Sequence, residues 1–190
     1  VCENFLERAH PLILNQFKQF CKNQEDWLEE FAIFCALKKI NNGQSWTEWE
    51  INSISNNKLI FNEKVLQFLF FSQWNALKNY CNDNGIKIIG DMPIYVSHES
   101  SDVWSNPSLF QLDSDGNKTA IAGCPPCNFH HEGQVWGNPL YNWDEHVKTD
   151  FSWWIHRFKK LFEIVDIVRL DHFIGFSKFW SLPSESTSAI

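Results

Sequence analysis

Two residues at the end of one apolar segment have the types and the spacing for chemistry on a sugar. Arg169 lies near the end of the apolar run 164–170, and Asp171 directly follows that run, two positions after Arg169. Alternate residues of a β-strand point to the same face, so we expect the two side chains to lie together. A guanidinium beside a carboxylate favours the ionised form, and a retaining glycosidase needs an ionised carboxylate as its nucleophile. The pattern therefore suits a glycoside nucleophile, and a structural ion pair at a strand end is the alternative.

A second acid follows an earlier apolar run. Ile86-Lys-Ile-Ile89 is followed by Gly90 and Asp91. Because the carboxyl ends of parallel strands meet at one edge, Asp91 is expected to face the same pocket as Asp171. There it could bind sugar hydroxyls, although acidic residues at strand ends are common for other reasons.

Aromatic residues and amides are concentrated between these two acids. The segment 133–143 contains Trp136, Tyr141 and Trp143 together with Asn138 and Asn142, in a chain that has ten tryptophans in 190 residues. Planar rings contact the C–H faces of sugars, and amides bind their hydroxyls. The segment is typical of a carbohydrate cleft, or of a rigid loop whose rings only fasten it to the fold.

The cysteines allow another interpretation. Cys124-Pro-Pro-Cys127 is followed by His130 and His131, which suggests a zinc or redox site. However, adjacent histidines rarely bind one ion together, and glycine and proline flank the motif where a redox motif would open a helix. The other cysteines include Cys35 on an apolar helix face, which favours free thiols in a reducing, cytoplasmic compartment.

The elements that must position these residues follow from hydrophobic periodicity. The pattern predicts two helices in 3–39 that stop at 41–43, and a helix capped by Asn62 and closed by Gly85. Strands are predicted at 86–89 and 164–170. Between them we expect a small hairpin formed by 109–112 and 119–122, and then a single helix whose apolar face consists of Val147, Phe151, Trp154, Ile155, Phe158, Leu161 and Phe162.

This order predicts an α/β protein with two parts. Residues 1–84 form a helical region, and residues 85–190 form part of a parallel (β/α)8 barrel. The connection 97–145 is expected to be a mostly irregular aromatic insertion loop at the active-site end of a strand. A structureless loop of that length is usually functional.

Composition excludes several classes of protein. The net charge is −7 without a basic run, which argues against nucleic-acid binding. No apolar stretch approaches the ~18 residues of a membrane span, and no signal peptide is recognisable. Hydrophobic residues make up 44% of the chain, which is sufficient for a packed core.

Four strings resemble one family of enzymes. They are Gly-Asp-Met-Pro-Ile-Tyr-Val (90–96), Ser-Asp-Val-Trp (101–104), Gly-Gln-Val-Trp-Gly-Asn-Pro-Leu-Tyr-Asn-Trp (133–143) and Arg-Leu-Asp-His-Phe (169–173). They are similar to the 4-α-glucanotransferases, also called amylomaltases or disproportionating enzymes, of glycoside hydrolase family 77. The resemblance runs from about residue 20 to the end. It implies a (β/α)8 barrel that transfers α-1,4-glucan segments between maltooligosaccharides by a double displacement.

The resemblance also implies roles for individual residues. Asp171 matches the nucleophile, Arg169 its orienting neighbour, and Asp91 an aspartate that binds the donor sugar. The remaining positions implied to bind substrate are Trp136 and Asn138, which wall the cleft, and Phe129 and His172. No cofactor and no metal is required. The family's acid/base glutamate and its stabilising aspartate belong to later strands, so we expect this chain to be an internal fragment that is inactive alone.

Three positions depart from the family pattern. Cys127 and Asn128 replace Asp-Tyr, and Ile174 replaces Arg. These departures put some glucan contacts in doubt, but not the nucleophile. A non-catalytic glucan-binding remnant, a hydrolase of the α-amylase clan and a Cys/His metal protein are the alternatives. The expected location is the cytoplasm, or a plastid in a plant, and the oligomeric state is left open.

Overall fold

The structure is a computed structural model that describes residues 2–54, 57–128 and 130–190. The chain divides into two compact units, Val1–Asn84 and Gly85–Ile190. In the part of the chain that is described, no helix is both long and apolar enough to cross a bilayer.

The first unit is helical. Its α-helices are α1 (Phe5–Arg8), α2 (Pro11–Asn23), α3 (Glu25–Ile40) and α4 (Asn57–Asp83), with short 3-10 turns at Cys2–Asn4 and Trp46–Glu48. Helix α2 begins where His10 accepts a hydrogen bond from the Leu12 N–H, with Pro11 at the first helical position. Helix α2 therefore starts at a local capping signal, whereas α1 and α3 begin without a side-chain cap hydrogen bond.

Phenylalanine rings fill the centre of this unit. Phe5, Phe17, Val65 and Phe68 form a buried cluster, in which Phe17 contacts Phe5 at 5.4 Å and Phe68 at 5.6 Å between ring centroids, both edge to face. Edge-to-face contacts of this kind are the favourable arrangement for aromatic pairs. Four of the nine phenylalanines in this half are thus buried, and Phe20 and Phe61 pack partly buried against the cluster.

Helix α4 starts five residues earlier than expected, so the prediction that Asn62 caps it is wrong. The physical reason is Ile60, which is buried against Ala32 and Ala36 of α3 and extends the helix before Asn62. Only part of the expected apolar stripe is covered. Val65 is fully buried, whereas Leu66, Phe70, Leu77 and Tyr80 are exposed.

The second unit is mixed α/β, which confirms the class expected from the sequence. Its strands are β1 (Ile89–Met92), β2 (Ala120–Cys124), β3 (Gln134–Pro139), β4 (Ile167–Leu170) and β5 (Trp180–Pro183). Its helices are α5 (Ser101–Ser105), α6 (Trp143–Lys148) and α7 (Ser152–Ile164), with 3-10 turns at Pro107–Leu109 and Phe173–Phe176.

Strands β1 and β4 are parallel neighbours, and each begins three residues later than the sequence suggested, at Ile89 and Ile167. Their register pairs Ile89 with Ile167 and Met92 with Leu170. The Asp166 carboxylate accepts the Ile88 N–H at 2.8 Å, so residues 86–88 precede the ladder instead of opening it. Helix α7 continues to Ile164, which shortens the expected strand 164–170 from its start.

The connection 97–145 is more regular than expected. It holds β2 and β3, which form an antiparallel sheet with β5 in the order β3-β2-β5. The expected hairpin between 109–112 and 119–122 is reduced to a bridge between Leu112 and Lys118. Strand β2 pairs instead with β3, the next strand along the chain, and with the distant β5, a pairing that local periodicity does not reveal.

The single helix expected before β4 is two helices. The chain turns between α6 and α7, where Asp150 and Phe151 have φ values of 49° and 55°. Left-handed residues cannot continue a right-handed helix. Val147 and Phe151 are therefore exposed, whereas Trp154 of α7 is buried.

An aromatic cluster forms the core around α6 and α7. The Tyr141 ring lies 5.1 Å from Trp154 and 5.4 Å from His146 between centroids. His146 is fully buried, and its Nε2 lies 3.2 Å from the Leu109 carbonyl oxygen. This cluster lies beneath the segment that follows β1.

Candidate active site

One guanidinium joins the two candidate carboxylates. Arg169 donates from Nη1 to Asp91 Oδ2 at 2.6 Å and from Nη2 to Asp171 Oδ1 at 2.5 Å. Asp91 and Arg169 are paired across the β1–β4 ladder, and Asp171 follows β4. The three side chains thus meet at the carboxyl ends of two parallel strands, where they carry a net charge of −1.

The backbone fixes this arrangement. The Asp171 N–H donates to the Met92 carbonyl at 3.1 Å and so extends the parallel ladder past β4. Gly90 allows a close approach beside it, because a Cβ there would lie 2.7 Å from Val165 Cγ1. Both carboxylates remain accessible, with half of each side chain exposed.

His172 directs the chain after the acid. It has a left-handed backbone, with φ of 50°, and its ring meets Trp136 edge to face at 4.9 Å. Gly175 lies below it. A Cβ on Gly175 would lie 2.5 Å from Ile94 Cδ1 and 3.0 Å from His172 Cδ2. The turn after Asp171 is therefore closely packed.

Trp136 and Asn138 belong to strand β3. The Trp136 indole donates to Gln134 Oε1 at 2.7 Å, and its ring lies 6.1 Å from Tyr95. The Asn138 side-chain amide donates to the Val96 carbonyl at 2.9 Å. Asn138 thus fastens the segment after β1 to the strand that carries Trp136.

The structure brings most of the candidate residues together. Asp91, Arg169 and Asp171 form one ion-paired group, and His172 links that group to Trp136 through its ring contact. The Asn138 side chain hydrogen-bonds the backbone carbonyl of Val96. Phe129 lies outside the described residues.

Sequence reasoning missed Arg157 and the role of Tyr141, both of which hold the backbone after β1. Arg157 of α7 donates to the carbonyls of Pro93 and Ile94, at 2.7 and 3.3 Å, and the Tyr141 hydroxyl donates to Ile94 at 2.6 Å. Burial raises the pKa of Tyr141 and lowers the pKa of Arg157. The available signal was an arginine placed between Trp154 and Phe158 in the sequence of α7.

The cysteine motif forms a turn. Cys127 and His130 exchange backbone hydrogen bonds of 2.9 and 3.1 Å, and all six cysteines are free thiols. Within the described ranges, no three His, Cys, Asp or Glu side chains are grouped so that they could hold a metal ion.

Two accessible carboxylates oriented by one arginine, beside a tryptophan, can act on a neutral polyhydroxylated substrate. A carboxylate oxygen can attack an electrophilic carbon or accept hydroxyl protons. The indole face can cover an apolar sugar face. The arrangement has the parts for nucleophilic chemistry on a carbohydrate.

Comparison with known proteins gives the same direction. The family profile described as 4-alpha-glucanotransferase, glycoside hydrolase family 77, matches residues 1–190. The chain is 43% identical over 190 residues to a 4-alpha-glucanotransferase of Streptococcus pneumoniae, covering 93% of this chain and 37% of that protein. A Synechocystis protein of the same name is also 43% identical, with 93% of this chain and 38% of that protein covered.

A solved structure has the same fold. The amylomaltase of Streptococcus agalactiae in complex with acarbose is 40% identical and superposes with a TM-score of 0.89, over 98% of this chain and 40% of that chain. This chain therefore spans less than half the length of the relatives that it matches. By its sequence and by its fold, the chain belongs to the 4-alpha-glucanotransferase family, glycoside hydrolase family 77.

Proposed function

We propose that this chain supplies the nucleophile and part of the donor site of a retaining 4-α-glucanotransferase. The observation that carries the proposal is the guanidinium of Arg169, which joins Asp91 and Asp171 at the ends of adjacent parallel strands. In this proposal the second unit is a section of a (β/α)8 barrel, whose active site forms at that end of the strands.

The reaction assigned to Asp171 is a double displacement. Arg169 holds Oδ1, and we assign the attack on the anomeric carbon to Oδ2. The new C–O bond displaces the oxygen of the leaving glucan, which takes a proton from a general acid. In the second step a glucan hydroxyl gives its proton to the conjugate base, attacks the same carbon and releases Asp171.

Arg169 allows two acids to share the site. One guanidinium between Asp91 and Asp171 offsets the repulsion that two neighbouring carboxylates would otherwise feel. Asp91 is then available, with half its side chain exposed, to accept hydrogen bonds from hydroxyls of the donor sugar. Arg169 orients both groups and takes no proton.

The substrate in this proposal is an α-1,4-glucan or a maltooligosaccharide. Trp136 offers an indole face beside the site, and the contact with His172 fixes its distance from Asp171. The Streptococcus agalactiae neighbour is an amylomaltase in complex with acarbose. We assign Asn138 to the same cleft wall, and we propose Phe129 as a further substrate-binding residue on the family resemblance alone.

The general acid is assigned to the part of the family's length that this chain does not span. The carboxylates at the β1–β4 edge are both paired with Arg169, and we assign neither of them the role of general acid. The 190 residues alone are therefore expected to bind glucan without turnover. No cofactor has a role in this chemistry.

The proposed location is the cytoplasm, or the plastid stroma if the source is a plant. Six free cysteines in 190 residues support a reducing compartment. The negative net charge supports a carbohydrate over a nucleic acid as the partner.

The proposal is tested in a completed enzyme, in which this chain replaces the matching segment of the Streptococcus pneumoniae relative. Maltotriose disproportionation should proceed, and Asp171→Asn should lower kcat on the order of 1000-fold because it removes the attacking oxygen. Asp144→Asn, an exposed acid on α6, is the matched control and should leave kcat unchanged.

Two further measurements separate the alternatives. A fluorinated glycosyl donor that traps the intermediate should add its sugar mass to the peptide containing Asp171. Added glucose should divert products from hydrolysis to transfer. A folded completed enzyme that binds acarbose but shows no turnover, and no label on Asp171, would instead identify a binding remnant.

A further inference from the structure

We propose that Arg157 is a positioning residue for the donor side of the site, because it holds the backbone that carries Asp91 and that receives the Asp171 amide. This inference rests on the proposed function and adds to it a residue that does not touch the substrate. Its evidence is a set of contacts between α7 and the segment immediately after β1.

Three successive carbonyl groups at the end of β1 are each held by a donor. Met92 accepts the Asp171 N–H at 3.1 Å. Pro93 accepts from Arg157 Nη2 at 2.7 Å, and Ile94 accepts from Arg157 Nη1 at 3.3 Å. The Arg157 guanidinium therefore holds Pro93 and Ile94. These two residues directly follow Met92, whose carbonyl accepts the backbone N–H of Asp171.

Tyr141 completes this attachment. Its hydroxyl donates to the Ile94 carbonyl at 2.6 Å and lies 3.5 Å from Arg157 Nη1. Because burial raises the pKa of Tyr141, the hydroxyl keeps the proton that it donates. Ile94 is itself buried, so its carbonyl depends on these two donors more than an exposed carbonyl would.

Two indole rings also contact the Arg157 guanidinium. The guanidinium carbon lies 5.4 Å from the Trp153 ring centroid and 5.1 Å from that of Trp154. These two cation–π contacts hold the guanidinium while its two nitrogens donate to Pro93 and Ile94. A lysine ammonium presents its donors from a single nitrogen and is not planar, so it cannot reproduce this geometry.

A shift of this segment would reach both acids. Asp91 belongs to β1 and lies two residues before Pro93, which follows the strand, and its carboxylate meets Arg169. Ile94 also packs on the turn after the nucleophile, where its Cδ1 leaves no room for a Cβ on Gly175. Small displacements of reacting groups can cost up to about 100-fold in rate.

The first test compares Arg157→Lys with Phe158→Leu in the completed enzyme. Phe158 is on the same helix and contacts Trp154, so its shortening weakens the same cluster without touching Pro93 or Ile94. Arg157→Lys should lower kcat/KM for the maltotriose donor about 10- to 100-fold. The KM for a glucose acceptor should stay within about twofold of the parent's value.

Chemical rescue and amide exchange provide independent readouts. Guanidinium ion at millimolar concentration should restore part of the donor kcat/KM lost by Arg157→Ala, and it should not restore that of Arg169→Ala to the same degree. Hydrogen exchange at the Asp171 amide should be faster in Arg157→Lys than in Phe158→Leu, because the Met92 carbonyl is less firmly held.

The outcomes separate this inference from the proposed function. If the completed enzyme without further substitution is inactive, the proposed function is overturned. The rate of hydrogen exchange at the Asp171 amide still shows in that case whether Arg157 positions the end of β1. If Arg157→Lys matches Phe158→Leu in donor kcat/KM and amide exchange at equal loss of Tm, Arg157 only stabilises the cluster and the inference fails.

Discussion

Asp91 and Arg169 are direct partners in the register of the parallel β1–β4 ladder, and their side chains are joined by a 2.6 Å salt bridge. Because strand side chains alternate between faces, a shift of one residue would place Asp91 and Arg169 on opposite faces. Register, and not only the presence of the acids, therefore determines whether the site exists.

Replacing Arg169 with lysine should reduce activity far more than stability. A lysine ammonium cannot meet both carboxylates with the planar geometry of a guanidinium, so Asp171 loses its fixed orientation. We expect kcat of the completed enzyme to fall about 10- to 100-fold. The free energy of unfolding should change by less than about 1 kcal/mol, because exposed ion pairs contribute little.

Steady-state kinetics and urea unfolding measure the two effects of Arg169→Lys. Arg8→Lys, on the short helix α1, is the matched control and should leave both quantities unchanged. A loss of kcat that is fully explained by a loss of folded protein would contradict an orienting role.

Shortening Trp136 should weaken binding of the glucan. Trp136→Leu removes the indole face and the edge-to-face contact with His172 at 4.9 Å. Stacking of an aromatic ring on an apolar face contributes about 1 kcal/mol, so the Kd for acarbose should rise roughly fivefold. Calorimetry measures this change, and Trp136→Phe, which keeps a ring, should recover most of the affinity.

Adding a methyl group at Gly90 should destabilise the second unit. The new Cβ would lie 2.7 Å from Val165 Cγ1, and Val165 is itself buried. We expect Gly90→Ala to lower the free energy of unfolding by about 1–3 kcal/mol. The double variant Gly90→Ala/Val165→Ala should regain part of that loss, because it removes the methyl groups of Val165 that the new Cβ would meet. If urea unfolding shows that the losses of the two single variants simply add in the double variant, the clash is excluded.

Stability should decrease at acidic pH because of His146. Burial lowers its pKa from the ordinary value of 6.5, since the charged ring is desolvated. Above about pH 6.5 the ring is neutral in both folded and unfolded states, and stability is complete. As the pH falls below that value the unfolded state binds the proton more readily, so stability falls until the lower folded-state pKa is reached.

Urea unfolding at about pH 7.5 and about pH 5 measures the contribution of His146. His146→Phe keeps an aromatic ring in the cluster and removes the titrating group. The loss of stability between the two pH values should be smaller in this variant than in the parent. An equal loss in both would assign the acid sensitivity to other groups.

Local sequence patterns predicted the positions of the candidate site residues Arg169 and Asp171 better than they predicted the bounds of the surrounding elements. The strand-end position of Arg169 and Asp171 followed from period-two spacing, and Gly85 marked the end of α4 with its φ of 73°. The early start of α4 did not follow, because the burial of Ile60 against α3 is a tertiary effect. Tertiary packing overrides local propensity in such cases.

Other features depend on partners that are distant in the sequence. The pairing of β2 with β5 joins residues about 60 positions apart, and no local signal specifies it. The contact of Arg157 with Pro93 likewise spans 64 positions. The sequence places Arg157 between aromatic residues, and its contacts with Pro93 and Ile94 become apparent only in the folded structure.

The pairing of β5 with β2 has a consequence for how this half of the molecule can change shape. The chain leaves Asp171, makes one 3-10 turn and enters β5, which is hydrogen-bonded to β2, the neighbour of the strand that carries Trp136. Asp171 and Trp136 are therefore connected twice, by this path of covalent and hydrogen bonds and by the contact between the His172 and Trp136 rings. A change of shape that separated these two candidate residues would have to break both connections.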